Sequence, residues 1–128
     1  MIYLDTSVAL AQLLAEDRRP SNGFWREELV SSRLLEYELW VRIHGLGRAS
    51  SHGDAVRTLL REIGLLELTA THLSRAVEPW PKPIRTLDAL HLAALEFLRG
   101  QGQSVELASY DRRMIAMAEA LKIPLAKL

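Results

Sequence analysis

The chain contains no cysteine. That excludes disulfides and thiolate metal sites and fits a reducing cytosol. It also lacks a charge surplus, because 16 Lys and Arg balance 16 Asp and Glu. Bulk charge therefore offers no attraction to nucleic acid, and any such contact must come from local arrangement. Thirteen of the 16 basic residues are Arg, whose fork suits bidentate phosphate contacts; gene base composition explains the bias equally well. No apolar run approaches the roughly 18 residues of a membrane span. The N-terminus has no basic segment followed by a long apolar core, so no signal peptide is expected and a cytoplasmic location is. Internal repeats, linkers and low-complexity segments are absent. Aspartate is scarce, with five in 128 residues.

What the chain does have is apolar content, 48%, at a length that suits one domain over residues 1–128 and buries roughly two-thirds of the unfolded surface. Met1 to Asp5 reads as a short buried strand. Ser7 is placed to cap a helix over Val8 to Glu16. Arg18 to Gly23 has turn composition, Phe24 to Leu29 a short helix or turn, and Leu29 to Ser32 a second strand. Leu34 to His44 is helical, ending near Gly45 and Gly47. Another helix opens at Ser50 or Ser51 and ends at Gly64. Leu65 to Thr69 is a strand candidate and Thr71 to Ala76 a helical turn. Pro79, Pro81 and Pro83 around Trp80 enforce an extended loop. Thr86 to Arg99 is a strongly apolar helix, Val105 to Ser109 a strand, and Asp111 or Arg112 starts a helix running to about Leu121. Pro124 to Leu128 reads as a last edge strand. Strands alternating with helices argue for an α/β fold with a parallel sheet, whose sites lie at the carboxyl ends of the strands.

Three of the five aspartates, Asp5, Asp88 and Asp111, sit in apolar settings where a carboxylate needs a reason. Each has an ordinary one. Asp5 and Asp111 lie between a strand and a helix, where Asp commonly caps. Asp88 falls in the first turn of its helix, favoured by the helix dipole. Glu38 lies inside a helix, where most Glu are solvated; its competitor Glu36 points roughly 200° away. Together they say more. Asp5 and Asp111 both follow parallel strands and so share one edge of the sheet, which Asp88 and Glu38 can face. Four carboxylates in one cleft repel each other unless a cation intervenes. Oxygen ligands without Cys suit Mg²⁺ or Mn²⁺, and such sites hydrolyse phosphate esters.

The order strand–Asp5-Thr6-Ser7, then Ser32-x5-Glu38, then Arg85-x-Leu-Asp-Ala-Leu-His-Leu-Ala93, then Ser109-x-Asp-Arg-Arg113 resembles the PIN domain family, most of all its VapC-type ribonuclease toxins from bacterial toxin–antitoxin pairs. The resemblance spans essentially the whole chain; Asp-Thr-Ser alone is weak, but the four blocks together are specific. It implies a three-layer α/β/α fold around a mostly parallel sheet of about four or five strands. It implies Mg²⁺-dependent endonucleolytic cleavage of RNA, dimerisation and inhibition by a cognate antitoxin protein. The family's four acids fall on Asp5, Glu38, Asp88 and Asp111 as catalytic and metal-binding residues. Glu36 does not match. Ser7 falls on a hydroxyl that supports the first Asp, Ser109 on one preceding the last, and Thr6 belongs to the same supporting group.

Other features carry two readings. Arg112 and Arg113 are candidate RNA contacts or simply an exposed pair. Arg42, Arg48, Arg57 and Arg61 form either a basic rim or a solvated helix face. His91 reads as a hydrogen-bonded structural residue before a ligand. Trp40 suits packing, and Trp80 is open. The apolar helices at Val8–Leu14 and Leu34–Ile43 suit core, or a groove for an antitoxin helix. Competing functions are a non-catalytic PIN-like domain that binds RNA or a partner, and a different metal-dependent phosphohydrolase. A haloacid-dehalogenase-like phosphatase needs an acid where Ser7 stands, and a receiver needs paired acids and a late Lys that are not evident.

Overall fold

Ile2-Tyr3-Leu4 forms the first strand, β1, with every side chain buried. A strand buried on both faces belongs in the middle of a parallel sheet. β1 indeed pairs in parallel with Leu29–Ser32 (β2) on one side and Glu106–Ala108 (β4) on the other. Gly64–Leu66 (β3) adds to the far edge of β2, giving the all-parallel order β3-β2-β1-β4. The structure, a computed structural model, describes all 128 residues.

Six helices cover the sheet: α1 (Thr6–Leu13), α2 (Arg33–Gly45), α3 (Ala49–Arg61), α4 (Ala70–Ala76), α5 (Thr86–Gly100) and α6 (Arg112–Ala120). The strand alternation sorts the core into two halves. Ile2, Leu4 and Leu29 pack with α1, α2 and α3 residues such as Val8, Leu39 and Val56. Tyr3, Val30 and Leu107 pack with α5 and α6 residues such as Leu95 and Met117. This is the expected three-layer α/β/α fold, with four strands, all parallel.

The order of the strands places the site. From β1 the chain winds outward through β2 to β3, then returns through α4 and α5 to set β4 on the opposite side of β1. The winding direction therefore reverses between β1 and β4, and open sheets form a crevice at such a switch point, beyond the carboxyl ends of the strands. Leu4 lies level with Ala108, so Asp5 and Ser109 emerge side by side.

Several expectations are corrected. α1 begins at Thr6, with Asp5 rather than Ser7 in the cap position, and ends at Leu13. Gly64 does not close α3, which ends at Arg61; it opens β3. β3 stops at Leu66, because Thr69 is used as the N-cap of α4, accepting from the His72 N–H while His72 Nδ1 accepts from the Thr69 N–H. The segment from Pro124 is not a strand. It makes one bridge, Leu125 to Leu107, with the Pro124 carbonyl and Ala126 N–H bonding the Leu107 backbone.

α2 aims the helical acid. Leu35, Leu39 and Ile43 are fully buried and fix the face turned to the sheet. Glu38 sits about 60° around the helix from Leu35, at the margin of that face, while Glu36 lies roughly 200° away from Glu38.

Candidate functional site

At the crevice Asp5 does not cap the helix that follows it; its side chain makes no capping bond. Instead, Ser7 Oγ donates to Asp5 Oδ2 at 2.6 Å and Ser109 Oγ donates to the same oxygen at 2.7 Å. The direction of both bonds is set from behind. Ser7 Oγ accepts from the Tyr110 N–H (2.9 Å) and Ser109 Oγ from the Asp111 N–H (3.0 Å), which leaves each hydroxyl proton for Asp5. The residue is buried, yet Oδ1 accepts no bond from the chain and faces the cleft.

The other acids are held in the same manner, by one oxygen. Glu38 Oε1 meets His91 Nε2 at 2.5 Å, leaving Oε2 unpaired. His91 is buried, and its Nδ1 lies 2.9 Å from the Tyr3 hydroxyl and 3.5 Å from Ser32 Oγ. Burial, above all else, pushes the Tyr3 phenol well above its usual range. A carboxylate oxygen accepts, so Nε2 donates to Glu38, and in that tautomer Nδ1 is left to accept from the Tyr3 hydroxyl. Asp111 Oδ1 caps α6, accepting from the N–H groups of Arg113 and Met114; the capping reading is correct for this residue. Its Oδ2 accepts from Arg85 Nη2 at 2.5 Å, and the same guanidinium donates from Nε to Asp88 Oδ2 at 2.7 Å.

These four carboxylates share one cleft of about 670 Å³, whose only basic lining residues are Arg42 and Arg85. Two negative charges are thus left without a partner. Burial raises the Asp88 carboxyl above its ordinary range; Arg85 opposes the shift and Asp111 and Asp5 add to it. Partial burial acts on Asp111 in the same sense, but the bonds from Arg85 and the two backbone amides outweigh it and hold the group low. As the side chains stand, no three acids or imidazoles are grouped closely enough to hold one ion. The Arg85 guanidinium lies between Asp88 and Asp111 and pairs with both.

The supporting residues divide. Ser7 and Ser109 bind Asp5, whereas the Thr6 hydroxyl is buried without a hydrogen-bond partner. Arg112 is exposed and takes no part in the cleft wall; Arg113 lines an adjoining pocket. Of the suggested basic rim only Arg42 reaches the cleft; Arg57 pairs with Asp54 and lies over Trp40. Trp80 is fixed by Arg75, stacked at 3.7 Å, and donates from Nε1 to the Ala76 carbonyl. The sequence alone gives Arg85 and Tyr3 no distinct role. Only the i, i+3 spacing of Arg85 and Asp88 signals the first; nothing signals the second.

Glu36 belongs elsewhere. It forms an exposed ion pair with Arg33, which also holds Glu67. Such pairs contribute about 0–1 kcal/mol. Glu36→Gln is therefore expected to leave stability within about 0.5 kcal/mol of the parent and divalent-cation binding unchanged. Glu38→Gln is expected to weaken Mn²⁺ binding by about tenfold or more. Calorimetric titration of both variants checks the contrast.

The PIN domain family matches residues 2–120 of the chain. Ribonuclease VapC35 of Mycobacterium tuberculosis, in strains CDC 1551 / Oshkosh and ATCC 25618 / H37Rv, is 33% identical over 130 residues, covering 96% of this chain and 93% of its own. Ribonuclease VapC47 of M. tuberculosis CDC 1551 / Oshkosh is 28% identical over 123 residues, covering 91% and 88%. No solved structure matches the chain. Family match and a likeness that covers most of both chains agree with the three-layer fold: the chain belongs to the PIN domain family, in its VapC-type branch.

Proposed function

We propose that this protein is a single PIN domain acting as a Mg²⁺- or Mn²⁺-dependent endoribonuclease, the toxin of a toxin–antitoxin pair held inactive by its cognate antitoxin. One observation carries the reading: Asp5 and Glu38 are each anchored through a single oxygen by partners lying behind them, with the other oxygen left unpaired in the cleft. Outer partners of this kind orient metal ligands. A carboxylate needed only for packing or capping has no use for such an arrangement. The ribonuclease names of the M. tuberculosis relatives support the same reading.

The donor set fits a hard dication: four carboxylates, no thiolate, two charges uncompensated. Asp5, Glu38, Asp88 and Asp111 are the residues to hold it. When bound, such an ion supplies Lewis acidity toward a phosphoryl oxygen and lowers the pKa of bound water. The chain supplies the rest. Ser7 and Ser109 hold Asp5, Tyr3 and His91 hold Glu38, and the α6 amides hold Asp111. Once freed from Asp88 and Asp111, the Arg85 guanidinium is left beside the acids, able to meet the negative charge of a phosphodiester. The direct test incubates the protein with structured RNAs, with Mg²⁺ or Mn²⁺ and with chelator. Internal cutting that requires the cation is expected. Neither cutting nor cation binding would return these acids to structural roles.

Arg85 also gives a quantitative expectation. A cation must displace it from two carboxylates, though its half-exposed side chain limits what those bonds contribute. Arg85→Ala is expected to tighten Mn²⁺ binding by about tenfold, about 1.4 kcal/mol. Calorimetric titration checks it; unchanged or weaker binding would show that Arg85 does not stand in the cation's place.

For the antitoxin, a groove of about 620 Å³ adjoins the acid cleft and is lined by Leu10, Leu14, Tyr37, Val41, Leu46 and Leu87. Tyr37 and Val41 are more than half exposed. It suits the apolar face of an amphipathic helix. Homodimerisation and a cytoplasmic location belong to the same proposal; no helix is long and apolar enough to cross a membrane. Sedimentation of the purified protein measures the dimer.

A further inference from the structure

We propose that the pocket between the Pro83–Arg85 segment and α6 is a subsite for the nucleotide next to the scissile phosphate. This deepens the nuclease reading and rests on it. The pocket, about 450 Å³, shares Arg85 and Asp88 with the acid cleft, so a chain leaving the cleft past Arg85 enters it. Its size lies in the range of small-molecule sites.

Its lining matches one nucleotide in two parts. Lys82 and Arg113 make no ion pair anywhere in the molecule, although both border a region crowded with acids. They are free to take phosphate. Pro83 and Ile84 form the accessible apolar part, and Met114 and Met117, 1% and 2% exposed, close its floor from within the core. The wall is built rather than loose. Arg75 binds Glu96 at 2.6 Å and stacks on Trp80, whose indole N–H bonds the Ala76 carbonyl; this ties the proline segment that carries Lys82 to α4 and α5. The apolar groove on another flank of the cleft offers only Arg42 against Glu16 and Glu38. The two flanks thus differ in chemistry, and the cationic one suits the RNA.

The methionines provide the test. Of three in the chain, Met114 and Met117 border the pocket and Met1 does not. Methyl-¹³C-methionine protein, with chelator present, is titrated with the four nucleoside 5′-monophosphates, with uridine and with inorganic phosphate. The nucleotides are expected to shift the Met114 and Met117 signals saturably at millimolar concentration and leave Met1 in place. Uridine and phosphate alone are expected to bind about tenfold more weakly or worse, and Lys82→Glu with Arg113→Glu to weaken nucleotide binding by about tenfold or more. The two side chains are exposed, so the double variant is expected to melt with the wild type. No shift, shifts equal with phosphate alone, or shifts that survive charge reversal would overturn the subsite. RNA cleavage measured in parallel separates the two claims. Cation-dependent cutting with unchanged KM in the double variant removes the subsite and keeps the nuclease. Nucleotide binding in a protein that cuts no RNA removes the nuclease reading.

Discussion

Asp5→Asn is expected to reduce cation-dependent RNA cleavage by about 10³-fold or more, the equivalent of about 4 kcal/mol of barrier. The substitution removes one charge and keeps the shape. An amide oxygen at the Oδ2 position still accepts from Ser7 and Ser109, so the melting temperature is expected to change by only a few degrees. The loss should therefore appear without unfolding. The wild type is expected to gain stability as Mn²⁺ is added, by about 2.7 kcal/mol at a hundred times the dissociation constant. Asp5→Asn is expected to gain far less at the same concentration. Cleavage rates and thermal melts, each with and without Mn²⁺, check both halves. A variant that cuts RNA at the wild-type rate would remove Asp5 from the site.

His91→Ala is expected to cost both stability and activity. The imidazole is buried and bonded at both nitrogens. Its removal opens a cavity and strands the Tyr3 hydroxyl in the core. Together these cost about 3 kcal/mol, which lowers the melting temperature by about 10 °C. Glu38 also loses the donor that orients it, and removing such an outer partner costs about 10–100-fold in metal affinity or activity. Tyr3→Phe separates these effects, since it keeps the ring packing and deletes one bond. It is expected to cost about 1–2 kcal/mol and to weaken Mn²⁺ binding by less than His91→Ala does. Melts and Mn²⁺ titrations on both variants give the comparison. If His91→Ala melts lower yet binds Mn²⁺ like the wild type, the histidine serves the core alone.

Much of this was legible in the residues. β2 runs over Leu29–Ser32 as expected, and α5 ends within a residue of expectation, because its long apolar pattern leaves little freedom. The placement of Asp5 and Asp111 at one edge follows from alternating strands and helices alone, whereas Asp88 and Glu38 are only able to face it. What escaped was the chemistry between distant residues. The ordinary reading of Asp5 as a cap is local, and it fails because Ser109, 104 residues away, competes for the same oxygen. Tyr3 reads as one more core residue until the sheet sets it beside His91, 88 positions on. Arg85 looks like any exposed base three residues from an acid; its second partner, Asp111, comes only with the fold. Thr69 could end a strand or cap a helix, and the reciprocal bonds with His72 decide for the cap.

The proposed cation site is the cleft of these acids, spanned now by Arg85. Anomalous diffraction from crystals grown with Mn²⁺ tests it most directly. An ion is expected at about 2.1 Å from Asp5 and at least one of Glu38, Asp88 and Asp111, with Arg85 moved off Asp88 and Asp111. Crystals saturated with Mn²⁺ that show no ion in the cleft, with Arg85 still spanning the two aspartates, would contradict it.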